Sequence, residues 1–364
     1  MRRTLNKRIV FYIGSLAKGG AERVITNLAE HFFRSGYSVF IVTKLLEDDE
    51  YAISEGITRI IADITPEEET DSRIRNLYRR IRKLHRIFKE VNPDLIVSFI
   101  GKNNLMAVAA AGFLHIPVYV SVRSDPKREI GTGLNYKLTM LLFAQAAGII
   151  LQTNQAKEFF PERLRKKVVI LPNSLNPQFV RPWNEKERSK TIVSVGRLDD
   201  NKNEQLLIEA FAALYQKFPE WKLDLYGDGE NYEKLKQLIM DVHMQDKITL
   251  KGNRPNIDTL ISDASIFALT SKVEGMPNAL IEAMALGLAV VSTDCPCGGP
   301  AMLIQNGKNG LLIPVDDKEA LIKALEKLMF DQVLRQKMGR EAYCIIELLH
   351  PDVVNRQWMD YLVH

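Results

Sequence analysis

The sequence predicts an α/β chain made of two doubly wound parallel-sheet domains. Short apolar runs such as Ile9 to Ile13, Leu95 to Phe99 and Ser265 to Leu269 alternate with stretches of helical periodicity. Unbroken apolar runs are expected where a strand is buried on both faces, and strand–helix–strand alternation implies right-handed crossovers and parallel pairing. At 364 residues the chain exceeds one ordinary core. A polar segment from Ser174 to Lys190, broken by Pro177 and Pro182 and without apolar periodicity, separates the halves. Domains are therefore expected over 1–174 and 191–349, joined by a linker at 175–190, with a last helix within 350–364.

The first strand, Ile9 to Ile13, follows a basic start from Met1 to Arg8. Together they imitate a secretion signal, but Lys18-Gly-Gly-Ala-Glu-Arg23 stands where a small-residue cleavage site would be needed. Gly14 to Gly20 forms a glycine loop, and a helix from about Ala21 to Arg34 carries Val24, Leu28 and Phe32 at helical spacing. Glycines between a strand and a helix are only a weak phosphate signal, because many turns use them. Further strands are expected at Tyr37 to Val42, Ile57 to Ile61, Leu95 to Phe99, Val118 to Val122 and Gly148 to Leu151. The longest apolar stretch, Leu105 to Val122, contains His115 and Pro117 and divides into a helix and a strand, so no membrane span is expected.

Asp71 to Val91 is expected to form a helix with Ile74, Leu77, Tyr78, Ile81, Leu84, Phe88 and Val91 in one buried stripe. Its basic residues, Arg73, Arg75, Arg79, Arg80, Arg82, Lys83, Arg86 and Lys89, then crowd the outer face. Such a face suits an anionic membrane surface, at about 1 kcal/mol per cation, and a solvated helix face is the plainer alternative. Nucleic acid is not expected, since the net charge of +4 is modest and no aromatic residues interleave with the exposed cations. Val120 to Glu129 is a polar stretch off a strand end, where ligands gather in open α/β sheets. Asp125 is a candidate to orient or deprotonate a hydroxyl, or else a turn residue before Pro126.

The second half opens with Thr191-Ile-Val-Ser-Val-Gly-Arg197 and reaches Lys202 through a polar turn. A guanidinium fork and a compact ammonium at a strand end suit a diphosphate. Strands at Leu223 to Tyr226, Ile248 to Lys251, Ser265 to Leu269, Ala289 to Ser292 and Leu311 to Ile313 complete a second sheet. Gly227-Asp-Gly229 and Gly252-Asn253-Arg254 fall at its strand ends. Helices are expected from Asp317 to Asp331, Val333 to Glu347 and Val353 to Leu362, the last with Trp358.

The richest stretch runs from Thr270 to Leu288. Pro277 suits a first helical position, where its missing N–H would have had no partner. The bare amides of that turn, with the helix dipole, attract an anion such as phosphate, and Gly275 permits close approach. Glu274 and Glu282 repel phosphate and accept hydrogen bonds, so hydroxyl groups are their natural partners. A diphosphate flanked by polyhydroxyl groups, that is a nucleotide sugar, satisfies both; a capped helix with two solvated acids is the other reading. Cys295, Cys297 and Cys344 suit a reducing compartment, and Cys295-Pro-Cys297 lacks the second ligand pair of a zinc site.

Glu274-Gly-Met-Pro-Asn-Ala-Leu-Ile-Glu282 resembles the Glu-x7-Glu signature of retaining GT-B glycosyltransferases, the large family 4-like group of bacterial polysaccharide and lipid-linked oligosaccharide enzymes. Gly196-Arg197-x4-Lys202, Gly19-Gly20-Ala-Glu-Arg23 and Ser121-Val-Arg-Ser-Asp-Pro126 are similar to other stretches of that family, so the likeness covers most of the chain. It implies two Rossmann-like domains facing a cleft and transfer of a hexose or N-acetylhexosamine with retention. It also implies Glu274 on a donor sugar hydroxyl, Glu282 on the ribose, and the backbone of Gly275, Met276, Pro277, Asn278, Ala279 and Leu280 around the pyrophosphate. Gly19 and Gly20 would face the same diphosphate, Gly196, Arg197 and Lys202 would hold the leaving group, and the strand-end loops with Gly227, Asn253 and Arg254 would seat the nucleotide. UDP is the expected nucleotide by family frequency, a glycan or polyprenyl-linked glycan the expected acceptor, and a crossing back onto the first domain the expected course of the last helix. No metal is expected, because cations and amides meet the diphosphate and the chain has no Asp-x-Asp signature. The expected location is cytoplasmic, peripheral at the inner face of the plasma membrane. One departure is the loop with Asp125, where several relatives carry a histidine and this chain has none. A GT-B UDP-sugar epimerase and a non-catalytic nucleotide-sugar-binding subunit share these features and stand as alternatives.

Overall fold

The computed structural model describes residues 7–17, 19–185 and 187–363. Most of the basic start and Lys18 of the glycine loop lie outside them. The chain divides into two compact units, one comprising residues 1–172 with 355–364 and the other residues 173–354.

The first unit contains β1 (Arg8–Ile13), α1 (Gly20–Arg34), β2 (Ser38–Thr43), β3 (Thr58–Ile61), α2 (Arg73–Val91), β4 (Leu95–Phe99) and α3 (Gly101–Ala111). It continues through β5 (Val118–Ser121), α4 (Pro126–Ile130), α5 (Gly133–Phe143), β6 (Gly148–Leu151), α6 (Asn154–Glu158), α7 (Glu162–Arg165) and β7 (Val168–Ile170). Its seven strands pair in the order β3-β2-β1-β4-β5-β6-β7, all parallel. Burial follows position: β4 is covered along its whole length, whereas the edge strands β3 and β7 are only half-buried, as a sheet with helices on both faces requires. Aromatic edges knit the core, with Phe32 between Phe11 and Tyr37 and Tyr12 against Phe88.

Helix α2 departs from the expected single buried stripe. Leu84, Ile87, Phe88 and Val91 are buried, but Ile74, Leu77 and Tyr78 are 83%, 47% and 63% exposed. The helix has 19 residues and packs along α3, which has 11, so its first turns overhang their support. Nor do all its cations face outward. Arg80 pairs with Asp63 at 2.7 Å and Glu69 at 3.1 Å, and Arg79 and Lys83 donate to the carbonyls of Glu68 and Asp63. Periodicity along one helix cannot register which turns have a neighbour or which cations meet a loop.

The second unit contains β8 (Ser189–Val195), α8 (Glu204–Leu214), β9 (Lys222–Tyr226), α9 (Tyr232–Asp241), β10 (Ile248–Gly252), α10 (Ile257–Leu260), β11 (Ala264–Leu269) and α11 (Asn278–Ala285). It continues through β12 (Ala289–Thr293), α12 (Gly299–Leu303), β13 (Leu311–Ile313), α13 (Lys318–Phe330), α14 (Gln332–Tyr343), α15 (Ile345–Leu349) and the start of α16 (Pro351–Val363). Six parallel strands run in the order β10-β9-β8-β11-β12-β13. The core gathers Ile192, Phe211, Trp221, Leu223, Ile266 and Val291, and Arg335 lies over the Trp221 ring.

The polar segment after Ser174 packs into this second unit. Leu175 and Phe179 are buried, Arg181 pairs with Asp258, and Trp183 meets Tyr343 edge-on. Tyr343 Oη donates to Arg181 O at 2.6 Å and Leu175 N donates to Leu349 O at 2.8 Å. The helix expected over 333–347 is correspondingly broken at Cys344, between these two ties. Beyond it, α16 carries Trp358 into the first unit, where the indole is fully buried and stacks on Phe99 at 5.8 Å. Arg123 lies 5.6 Å from both rings.

Candidate active site

Counted within its own unit, the second sheet has the strand order 3-2-1-4-5-6, so its order reverses between β8 and β11. In open α/β sheets the crevice outside the carboxyl ends of two such strands is where ligands bind. The turn bearing Arg197 and Lys202 leaves β8, and the loop bearing Glu274 leaves β11. Topology alone thus brings the two motifs to one place.

Hydrogen bonds then fix their register. Asp199 Oδ1 accepts from the amides of Asn201 at 3.1 Å and Lys202 at 3.0 Å, closing the turn. Lys272 N donates to Asn201 O at 2.8 Å and Asn201 Nδ2 donates to Val273 O at 3.0 Å. The buried Thr270 hydroxyl donates towards Lys202 O at 3.0 Å and Asn203 O at 3.1 Å. These clasps set Lys202 Nζ 2.5 Å from Glu274 Oε1, with the two side chains 17% and 13% exposed. The lysine stem crosses Gly196. Arg197 is not drawn in: its side chain is 83% exposed, with Asp199 of its own turn 3.4 Å away.

Glu274 is held from its far side as well. Its amide donates to Pro296 O at 2.6 Å and its carbonyl accepts from Cys297 N at 2.9 Å. The adjoining Gly299 sits so close to Gly275 that a Cβ there would fall 1.5 Å from the Gly275 carbonyl oxygen. Burial pushes the neighbouring Cys295 thiol up to about 12, leaving it an inert packing group.

Pro277 is the residue before α11 rather than its first helical residue, with extended backbone and no side-chain cap on the helix. The first amides of α11, from Asn278, Ala279 and Leu280, have no partner within the helix. Asn173 fastens this turn. Its Nδ2 donates to Met276 O at 3.0 Å and to Asn278 Oδ1 at 2.8 Å. Glu282 lies one turn further on and is buried.

A third carboxyl, Glu204, opens α8 directly after the lysine turn. It is 3% exposed and its Oε2 has no hydrogen-bond partner among the described residues. Burial pushes it up to about 8; Asp199 and Glu274 add to the rise and Lys202 opposes it. At neutral pH it is therefore chiefly uncharged.

Gly227 marks the end of β9 beside this turn. Its φ of 140° and a would-be Cβ 1.7 Å from Gly196 O exclude any side chain. Asn253 and Arg254 follow β10, both exposed, with Arg254 Nε donating to Lys251 O at 2.8 Å.

The first unit repeats the topology, with its order reversing between β1 and β4. The glycine loop leaves β1 there, Gly19 stands at the start of α1, and Gly20 is the first residue of that helix. Leu16 N in this loop donates to Glu50 at 3.2 Å. Glu50 also receives two bonds from the Arg59 guanidinium, which hold its carboxyl down to about 2. At the end of β5, Asp125 Oδ1 accepts from Lys127 N at 3.0 Å and so caps α4, the turn role that its place before Pro126 allows. Glu129 is the more deeply engaged acid, accepting from Gly101 N at 2.6 Å, Arg123 N at 3.1 Å and Ser124 N at 3.2 Å.

Asn173, Asn201, Thr270, Glu204 and Gly299 escaped the sequence reading. Asn201 lies inside the turn already singled out, and Asn173 follows Pro172 at a strand exit, which is a turn signal. Thr270 opens the stretch from Thr270 to Leu288 without any sign of the bond it makes, and Glu204 and Gly299 carry no local mark.

Residues 18–179 match the family model described as Glycosyltransferase Family 4, and residues 176–344 match Glycosyl transferases group 1. The protein is a glycosyltransferase. An uncharacterized glycosyltransferase of Haemophilus influenzae is 26% identical over 363 residues, 98% of this chain and 100% of that protein. The Campylobacter jejuni enzyme GalNAc-α-(1→4)-GalNAc-α-(1→3)-diNAcBac-PP-undecaprenol α-1,4-N-acetyl-D-galactosaminyltransferase is 26% identical, covering 92% of each chain. Anabaena HepE, solved with UDP and glucose, superposes with a TM-score of 0.81 at 18% identity, over 98% of this glycosyltransferase and 99% of HepE. The shared fold is GT-B, two parallel-sheet Rossmann-like domains.

Proposed function

We infer that this glycosyltransferase moves a hexose or N-acetylhexosamine from a UDP-sugar to a hydroxyl of a polyprenyl-linked or polysaccharide glycan, with retention at the anomeric carbon. The observation that carries the reading is the meeting of Lys202 and Glu274 at the strand-order reversal of the second sheet, beside the uncapped start of α11. As the glycosidic bond breaks, the β-phosphate gains negative charge. Lys202, the amides of Asn278 to Leu280 and, once a ligand draws it in, Arg197 stabilise that charge with little rearrangement of the backbone. Glu274 takes a donor sugar hydroxyl and Glu282 the ribose. On this reading no divalent ion is required, and EDTA leaves turnover unchanged.

Asp125 enters the acceptor side only if its bond to Lys127 N opens. The acceptor class follows relatives named for undecaprenol-linked substrates, and UDP follows HepE. No described helix is long and apolar enough to cross a membrane, and on this reading the enzyme works peripherally at the cytoplasmic face of the plasma membrane. There the exposed Arg73, Arg75, Arg82 and Arg86 of α2 meet anionic lipid while Ile74, Leu77 and Tyr78 enter the interface. Flotation with anionic vesicles tests this, and reversal of those four arginines abolishes it; Arg79, Arg80 and Lys83 are unsuited to the test because they hold the 63–69 loop.

Product formation from a panel of UDP-sugars with undecaprenyl-linked acceptors tests the central reading. An epimerase would convert the UDP-sugar without acceptor, and a binding subunit would retain the donor without turnover.

A further inference from the structure

We propose that Glu274 exchanges Lys202 for a sugar hydroxyl when the donor binds, and that this exchange makes the site favour nucleotide sugar over the bare nucleoside diphosphate. The proposal rests on the reading above for where diphosphate and sugar lie. Among the described residues the Lys202 ammonium makes one hydrogen bond, to Glu274 at 2.5 Å. A diphosphate that takes the two remaining N–H donors of Lys202 pulls the ammonium away from Glu274 and brings negative charge beside a carboxylate only 13% exposed.

Glu274 cannot retreat with its loop, because Pro296 O and Cys297 N clamp its backbone on one side while the Asn201 and Thr270 bonds hold the lysine turn on the other. A donor restores what it takes, since its sugar hydroxyls donate to the freed carboxylate. The product does not. Once the glycosyl group has left, Glu274 stands next to the diphosphate, shares Lys202 with it and has no hydroxyl donor, an arrangement that disfavours the bound nucleotide. Departure of the nucleotide lets the ion pair re-form.

Calorimetric titration of UDP and of an accepted UDP-sugar into wild type and Glu274→Gln reads the exchange. The neutral amide removes both the competing ion pair and the like charge. UDP is then expected to bind about tenfold more tightly to the variant, and the UDP-sugar no more tightly, so the preference for donor over product falls by at least that factor. Glu274→Ala, titrated with UDP and with inorganic pyrophosphate, gives the same reading without an amide in the site, and a thermal melt confirms that each variant is folded. UDP affinity that is unchanged or weaker in a folded variant overturns the exchange. A wild type that binds neither UDP nor any UDP-sugar removes the functional reading and this inference with it, whereas donor binding with an unshifted ratio removes the inference alone.

Discussion

Each sheet keeps an ion pair near the loop that leaves its first strand, and the two pairs are finished to different degrees. In the first unit Glu50 accepts two bonds from Arg59, one from Leu16 N at 3.2 Å and one from Glu47 N at 3.1 Å. Its two oxygens accept four bonds between them, and the pair holds the loop. In the second unit Lys202 and Glu274 share a single bond, and among the described residues their charged ends make no other. The topology is the same and the chemistry is not. A closed pair serves structure, whereas an open one leaves valences for a ligand.

The strongest way to break this comparison is Lys202→Met. Loss of one preorganised cation from the leaving group is expected to lower kcat/KM by about 100- to 1,000-fold. A fall of less than tenfold in steady-state assays would put the open pair in the same structural class as Glu50 and Arg59.

One buried acid, Glu204, and one half-buried acid, Glu50, separate the two sites by pH. Glu204 keeps its proton to about 8 in the folded chain against an ordinary value of 4.5. Between those values the folded state binds more protons than the unfolded one, so stability falls as pH rises, by at most about 1.4 kcal/mol per unit. Glu204→Gln is therefore expected to match wild type below pH 4.5 and to gain a growing advantage in Tm up to pH 8; a constant difference would contradict it. Glu50 has the opposite sign. Its folded carboxyl lies at about 2, so Glu50→Gln should destabilise by about 2 kcal/mol at neutral pH, with the deficit shrinking as pH falls from 4.5 through 2. Donor KM should hardly change, and a large change would tie the first-unit pair to the donor.

The smallest effect sharpens how the open pair is aimed. Thr270→Val preserves shape but removes the hydroxyl from the carbonyls of Lys202 and Asn203. Turnover is expected to drop about tenfold, as for one lost buried hydrogen bond, with Thr270→Ser restoring it. Equal loss in Val and Ser variants would point to packing instead.

Most strands were legible because β1 after Arg8, β4, β11 and β12 are buried on both faces and are mostly apolar, broken only by serine or threonine. Lys202 and Glu274 could be assigned to one site before any geometry was known through the resemblance of both motifs to one family; the local chemistry of each suits a charged or hydroxylated ligand but does not by itself join them. Their clasps were not legible. Thr270 lies 68 positions from the carbonyl it serves, and Asn173 lies 103 from Met276; nothing near either residue announces its partner. The overhang of α2 was hidden for a related reason, because exposure of Ile74 and Tyr78 depends on the length of α3.

Residues 173–354 interrupt the first unit, whose last piece is 355–364. During synthesis the second unit emerges and can fold whole, while the seat beside Phe99 stands empty until Trp358 leaves the ribosome. A chain cut before that tryptophan leaves the Phe99 ring without its stacking partner, so the N-terminal piece of the first unit cannot complete its own core.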